Sequence, residues 1–370
     1  MKTATLFDPL QLGDLTLANR IIMAPMTRNR AMPDGVPGSL AGTYYGQRAS
    51  AGLIITEATQ ISPMGKGYFN TPGIHSPEQI DAWRQIVDRV HANDGAIFLQ
   101  LWHVGRISHT SMLPDGVQPV APSAIRAKSQ TFTTAGPAAV SEPRALTIAE
   151  IRETIKDYGT AAVNARSAGF DGVELHAANG YLIDQFLRTG SNQRTDDYGG
   201  SAANRVRFLT EVLEAIASVW KPQSIGVRLS PLSTFNDMRD SDPEQTFSTA
   251  IGHLDTYGLG YLHVVERVRD TQPNNAADTA LISRLRGMWS GVYVANGGYD
   301  RATGDEAVRN GHADAIAYGR PFLANPDLPY RLQHEIPLNV PDPGSFYGGT
   351  EKGYTDYPAR EGIQEATRNE

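Results

Sequence analysis

The sequence predicts an α/β fold, a (β/α)8 TIM barrel in a single domain, and three observations carry that prediction. About eight short apolar or β-branched runs recur along the 370 residues, each followed by helical spacing and a capping signal. Most of the runs are continuously apolar, the pattern of parallel strands buried on both faces. The length exceeds the ~250 residues of a typical barrel by enough for an N-terminal leader, one long excursion and a tail. A doubly wound sheet uses the same repeating unit, but the strand count favours the closed barrel.

The strand candidates fall at residues 20–24, 52–57, 96–102, 172–176, 225–229, 261–265, 292–296 and 313–318. Between them, Ser76-Pro77-Glu78-Gln79 offers an N-cap hydroxyl, a proline at the first helical position and a reciprocal Gln. Asp242-Pro243-Glu244-Gln245 repeats the device, and Thr147-Ile148-Ala149-Glu150 is a third helix start. Gly95, Gly169, Gly258 and Gly311 follow the periodic stretches, where a left-handed residue closes a helix. The barrel is expected over residues 1–358, with a leader through Ala18 and an excursion at 105–144 after the third strand. Connections usually run ~4–6 residues, so the excursion reads as a lid or small subdomain at the barrel mouth. The polar ending 359–370 reads as a frayed tail.

Composition narrows the chemistry. The chain is 40% hydrophobic, enough for a large core, and its net charge of -7 disfavours nucleic-acid and anionic-membrane partners. With no cysteine there is no disulfide, thiolate zinc site, cysteine-held iron–sulfur cluster or thiol nucleophile. No apolar run at the start suits a signal peptide, and none elsewhere approaches the ~18 residues of a membrane span, so the chain reads as soluble and cytoplasmic.

Barrel chemistry sits at the C-terminal ends of strands, so polar residues there come first. Gln100 and Trp102 end the third strand on one face, and Glu174 and His176 end the fourth. His176, Asn179 and Tyr181 fall within one strand-to-helix turn and offer two neutral donors for a carbonyl or nitro oxygen plus a phenol able to deliver a proton. Glu174, one layer deeper, reads as structural and is expected to pair with Arg228 on the next strand. The last two strands end in Gly297-Gly298 and Gly319-Arg320, in the loops where barrels commonly bind phosphate. None of the six lysines falls at a strand end, against a Schiff-base enzyme, and there is no H-E-x-x-H, G-x-G-x-x-G or P-loop. A sugar hydrolase would need Glu174 and Glu266 as facing carboxylates, but only Trp102 could stack on a sugar.

The segments Leu6-Phe7-Asp8-Pro9, Asn19 to Arg28, Gln100 to His103, Asp171 to Leu182 and Gly353 to Pro358 resemble the Old Yellow Enzyme family of FMN-dependent ene-reductases, nearly end to end. Within it, Gly105 to His109 and Thr195 to Gly200 resemble the bacterial glycerol trinitrate and N-ethylmaleimide reductases. The resemblance implies FMN as the phosphorylated ligand and NADPH or NADH as reductant. It assigns Pro25, Met26 and Thr27 to the flavin ring, Ala58 and Gln100 to its pyrimidine edge, Arg228 to the opposite carbonyl, and Gly297, Gly298, Gly319 and Arg320 to the phosphate. It makes His176 and Asn179 the substrate-oxygen donors, Tyr181 the proton donor to carbon, and Tyr68, Trp102, Phe346 and Tyr347 the pocket walls. Phe346 could equally pack in the core. Thr27 places the chain in the family branch with Thr rather than Cys at that position. The expected substrates are small activated alkenes, with nitrate esters or nitroaromatics as side substrates, and the resemblance favours a monomer. A non-catalytic flavin-binding or sensor protein is the alternative, although it would have no use for Tyr181 beside His176 and Asn179.

Overall fold

The computed structural model describes residues 4–267 and 274–360. Eight parallel strands, β1 Ile21–Met23, β2 Leu53–Ile55, β3 Ile97–Trp102, β4 Gly172–His176, β5 Ile225–Leu229, β6 Tyr261–Val265, β7 Val292–Asn296 and β8 Ala315–Tyr318, pair in chain order. Pairing of Tyr318 with Met23 closes the ring, so the fold is the (β/α)8 barrel. Four strands differ at their edges from the sequence reading, β3 only in starting at Ile97. β1 stops before Pro25, which has no N–H for a ladder. β2 breaks after Ile55, and a short piece, Thr59–Gln60, resumes beside Leu101 and Trp102. β8 begins at Ala315.

The principal crossover helices are α1 Leu40–Gly46, α2 Pro77–His91, α3 Ile148–Ser167, α4 Leu182–Leu187, α5 Ala202–Ala217, α6 Pro243–Asp255, α7 Ala276–Gly287 and α8 Arg301–Arg309. Ser76 and Thr147 complete reciprocal capping boxes, and the Asp242 carboxylate accepts from Gln245 N–H. Gly169, Gly258 and Gly311 have the left-handed φ expected of them. Gly95 does not, because Asp94 takes that conformation one residue earlier at φ 57°. A Cβ at Gly95 would instead lie 2.8 Å from Val90 and 2.9 Å from Ala49, so close packing accounts for the glycine.

The larger core lies between barrel and helices, and a second one fills the barrel. The leader folds into a hairpin, Leu10–Leu12 with Leu15–Leu17, whose Leu10, Leu12 and Leu17 pack with Ile22, Phe98 and Tyr261. Tyr261 and Phe98 fit there because their neighbours are small: a Cβ at Gly226 would lie 2.1 Å from the Tyr261 ring, and one at Gly172 2.4 Å from Phe98. Above this apolar plug is a polar layer, where Glu174 accepts from Gln100 Nε2 at 2.7 Å and meets His263 Nδ1 at 2.8 Å.

Segment 105–144 carries a second hairpin, Gln130–Thr133 with Gly136–Ala139, and a parallel pair, Val120–Ala121 with Arg144–Ala145. It is tied to the loop after β2 by Phe69 N–H donating to Phe132 O at 2.9 Å and Ser108 Oγ to Lys66 O at 2.7 Å. Lys128 N–H to Asp237 at 3.1 Å and Ser129 Oγ to Asn236 at 3.0 Å tie it to the loop after β5. Of the polar ending, 361–370 lie outside the described residues, while Arg360 N–H donates to Asp327 at 3.0 Å. Among the described residues no helix is long and apolar enough to cross a membrane.

Candidate active site

His176, Asn179 and Tyr181 are brought together by the β4-to-α4 turn. Asn179 at φ 58° and Gly180 at φ 77° reverse the chain there, a conformation Asn and Gly tolerate at low cost. Three bonds hold the turn: Asn179 N–H to Ser230 Oγ at 2.8 Å, Gly180 N–H to Asp184 at 2.8 Å, and Asn236 Nδ2 to Asn179 O at 2.9 Å. Asp184 is itself buried and paired with Arg188 at 2.8 Å.

The side chains form an aromatic box. Trp102 lies edge-on to Tyr181 at 4.9 Å, His176 packs against Tyr181 at 5.0 Å, and Tyr68 stacks along Trp102 at 5.8 Å. The Tyr68 and Tyr181 hydroxyl oxygens are 3.1 Å apart and share a hydrogen bond. Burial raises the Tyr181 phenol well above its ordinary pKa, and nearby Tyr68 adds to the shift. Burial raises Tyr68 to about 12, with the Tyr181 bond opposing. His176 is pushed well below the ordinary histidine value by burial, then by Arg228 and His263, so it is a neutral donor at physiological pH. Its Nδ1 is buried without a hydrogen-bond partner.

The other expected residues lie around this box at the same strand ends. Gln100 commits Nε2 to Glu174, which leaves its Oε1 as an acceptor. Arg228, beside His176 in the ladder, donates to Asn296 at 3.1 Å, and Asn296 donates to Ala317 O at 2.7 Å, joining the ends of β5, β7 and β8. Glu174 does not form the expected ion pair with Arg228; its carboxylate meets Gln100, opposite it on the neighbouring strand, and His263, which lies two strands away in the same barrel layer. Burial pushes Glu174 upward, but His263, Arg228 and Gln100 together hold it below the ordinary carboxylate value. Gly297 and Gly298 turn the chain at φ 151° and 72°, and Gly319 precedes the one-turn helix Arg320–Ala324, with Met26 Sδ 3.6 Å from where its Cβ would be.

Pro25, Met26 and Thr27 follow β1 and are partly buried, and Ala58 is buried beyond β2. Their loops are braced from behind by Glu57, which accepts from Arg28 N–H at 3.1 Å and from the Tyr45 hydroxyl at 3.4 Å. Burial raises the Glu57 carboxyl to about 7 against the pull of these bonds and of the Arg28 charge. The Arg28 guanidinium, 5.0 Å from both the Tyr44 and Tyr354 rings, donates to Phe346 O at 3.0 Å and Gly353 O at 2.7 Å. That grip brings the C-terminal loop to the end of β1. Phe346 is partly buried there, whereas Tyr347 is 62% exposed and belongs to the outer rim.

Sequence reasoning missed Asn236, Ser230 and His263. Asn236 binds the site turn and reaches both phenols, opposing their upward shifts. Its left-handed φ of 59°, shared with Asp237, gave no sign of chemistry in the sequence.

A flat phosphorylated heteroaromatic fits these residues. A neutral histidine keeps an unpartnered nitrogen, and two glycine turns at adjacent loops can present backbone N–H groups. The chain matches the model of the NADH:flavin oxidoreductase / NADH oxidase family over residues 5–339. It is 44% identical to 12-oxophytodienoate reductase 1 of Oryza sativa subsp. japonica over 98% of this chain and 95% of the relative. Morphinone reductase superposes with a TM-score of 0.94 at 48% identity, covering 98% of both chains. The Old Yellow Enzyme homologue of Zymomonas mobilis superposes at 0.92 with 44% identity, over 96% of this chain and 99% of the other. The chain therefore belongs to the NADH:flavin oxidoreductase / NADH oxidase family, as an Old Yellow Enzyme type, FMN-dependent NAD(P)H oxidoreductase.

Proposed function

We propose that this protein is an ene-reductase that saturates the C=C bond of small α,β-unsaturated carbonyl and nitro compounds, with nitrate esters and nitroaromatics as side substrates. The observation that carries the reading is the Tyr181 phenol enclosed beside neutral His176 in a turn shared with Asn179. Relatives named for 12-oxophytodienoate and morphinone lend support, since each name denotes a ketone-bearing substrate of a reductase.

When bound and reduced by NAD(P)H, FMN supplies the hydride that goes to the substrate β-carbon. His176 and Asn179 donate to the carbonyl or nitro oxygen and draw electron density from the double bond; being neutral, His176 polarises without protonating. Tyr181 then delivers its proton to the α-carbon. Pro25, Met26, Thr27, Ala58 and Gln100 would hold the ring, and Gly297, Gly298, Gly319 and Arg320 the phosphate. Arg228 would put a fixed positive charge at the ring's far edge, which would favour the reduced ring. Trp102, Tyr68, Phe346 and Tyr347 wall the substrate pocket, and residues 105–144 act as its lid.

Colour tests the reading. The purified protein should show a flavin absorption band that bleaches anaerobically with NADPH or NADH and returns on adding 2-cyclohexenone. Bleaching without return would leave a flavin-binding protein that does not reduce alkenes, and a colourless protein unable to take up FMN would overturn the cofactor assignment as well.

A further inference from the structure

We propose that Tyr68 reloads the site: after each turnover its hydroxyl passes a proton to the Tyr181 oxygen and recovers one from water. The proposal rests on the reading of Tyr181 as the donor to carbon. In that step the Tyr181 O–H bond breaks, a C–H bond forms at the substrate α-carbon, and a phenolate is left behind. Tyr181 cannot protonate a second substrate until the phenolate is neutralised.

The surroundings leave one described acid in hydrogen-bonding reach. Tyr181 is 8% exposed, boxed by the Trp102 edge and the His176 ring, so direct access of water to its oxygen is restricted. His176 is neutral and carries no surplus proton. The Asn179 amide and the Trp102 indole are not acids in this range. Tyr68 is, with its oxygen 3.1 Å from that of Tyr181. It comes from the loop after β2 and is only partly buried, so it bridges the enclosed phenol and the rim. Stacking on Trp102, within 9° of parallel, fixes its ring, and Asn236 lies within reach of both oxygens.

The balance closes without another reagent. The Tyr68 O–H bond breaks and the Tyr181 O–H bond re-forms; the Tyr68 phenolate takes a proton from water, and hydroxide leaves to bulk. Tyr68 is the less enclosed of the two phenols, so its phenolate is the one water can reach. Tyr68 acts through Tyr181 and is a positioning and relay residue, not the group that touches the reacting carbon.

The test compares the first turnover with later ones in the Tyr68→Phe holoenzyme, after confirming that it retains FMN and is reduced by NADPH at the normal rate. Single-turnover reoxidation by 2-cyclohexenone uses the proton already on Tyr181, so its rate in the variant measures any change in the pocket wall alone, and steady-state turnover should fall about tenfold or more beyond that change. Turnover should then rise with the concentration of a small buffer acid, and the solvent isotope effect should move from the first-turnover phase to the steady state. Full steady-state turnover with an unchanged isotope effect would overturn the proposal. So would an equal slowing of the first and later turnovers, which would make Tyr68 a pocket wall alone. Failure of the underlying reading looks different: Tyr181→Phe would itself keep full alkene turnover.

Discussion

Inside the barrel, Glu174 Oε2 lies 2.8 Å from His263 Nδ1, two strands away and shielded from solvent. With Gln100 on the other oxygen, this contact makes a connected polar layer between the apolar plug and the active site. Glu174→Leu would strand the Gln100 amide and the His263 ring, and each buried polar group left without a partner costs about 1–3 kcal/mol. Urea unfolding should show that loss, together with weaker FMN retention because Gln100 loses its anchor. A leucine variant with unchanged midpoint and FMN affinity would show that the layer contributes neither.

Tyr181→Phe should lower alkene reduction by ~10²–10⁴, the usual worth of a positioned general acid, and leave flavin reduction by NADPH nearly intact. Nitro and nitrate-ester reduction, which needs no proton on carbon, should fall far less. Stopped-flow traces of the two half-reactions separate these outcomes.

His176 should stay neutral through the physiological range, because burial and the Arg228 charge hold its pKa well below 6.5. Substrate affinity should therefore show no histidine step between pH 5.5 and 8 in KM-type titrations, checked against His176→Asn. For stability the sign is that of a depressed histidine: the unfolded chain binds the extra proton, so this contribution is present above about 6.5 and is lost as pH falls.

Glu57 carries the opposite slope. Its folded pKa of about 7 exceeds the ordinary carboxyl value of 4.5, so the folded state holds the extra proton between those values. Its share of stability is full below 4.5 and lost as pH rises through 7, a swing of about 3 kcal/mol. Glu57→Gln should therefore gain on wild type between pH 5 and pH 8 in denaturation experiments. Parallel curves for the two proteins would exclude this titration.

Gly226→Ala would place a methyl 2.1 Å from the Tyr261 ring, inside a closed barrel with no room to yield. Overpacking of this kind costs about 1–3 kcal/mol or more. Pairing it with Tyr261→Leu should recover part of the loss, and a double-mutant cycle measures the coupling; strict additivity would argue against the clash.

Much of this architecture was legible in the sequence because it depends on local signals. The fourth strand, the Ser76 and Thr147 caps and the His176-Asn179-Gly180-Tyr181 turn each lie within a few residues, and each appears as expected. What escaped depends on register. Glu174 faces Gly226 across the next strand while its carboxylate meets His263 one strand further on, and no spacing rule encodes which interior neighbour a side chain selects. Asn236 escaped for a related reason: it lies 57 residues from the Asn179 carbonyl it binds, in a loop whose shape is set by packing. The leader's alternating leucines were visible, but their role as a barrel plug requires the barrel itself.

The grip of Arg28 on the C-terminal loop bears on how the protein is made. The residues it joins, Arg28 and Phe346, are 318 positions apart. Synthesis runs from the N-terminus, so the β1 edge leaves the ribosome long before the segment that completes the rim. Until residues 346–353 emerge, the Arg28 guanidinium has no carbonyls from that loop to bind. A nascent or prematurely terminated chain can close all eight strands and still leave its active site unfinished on one side.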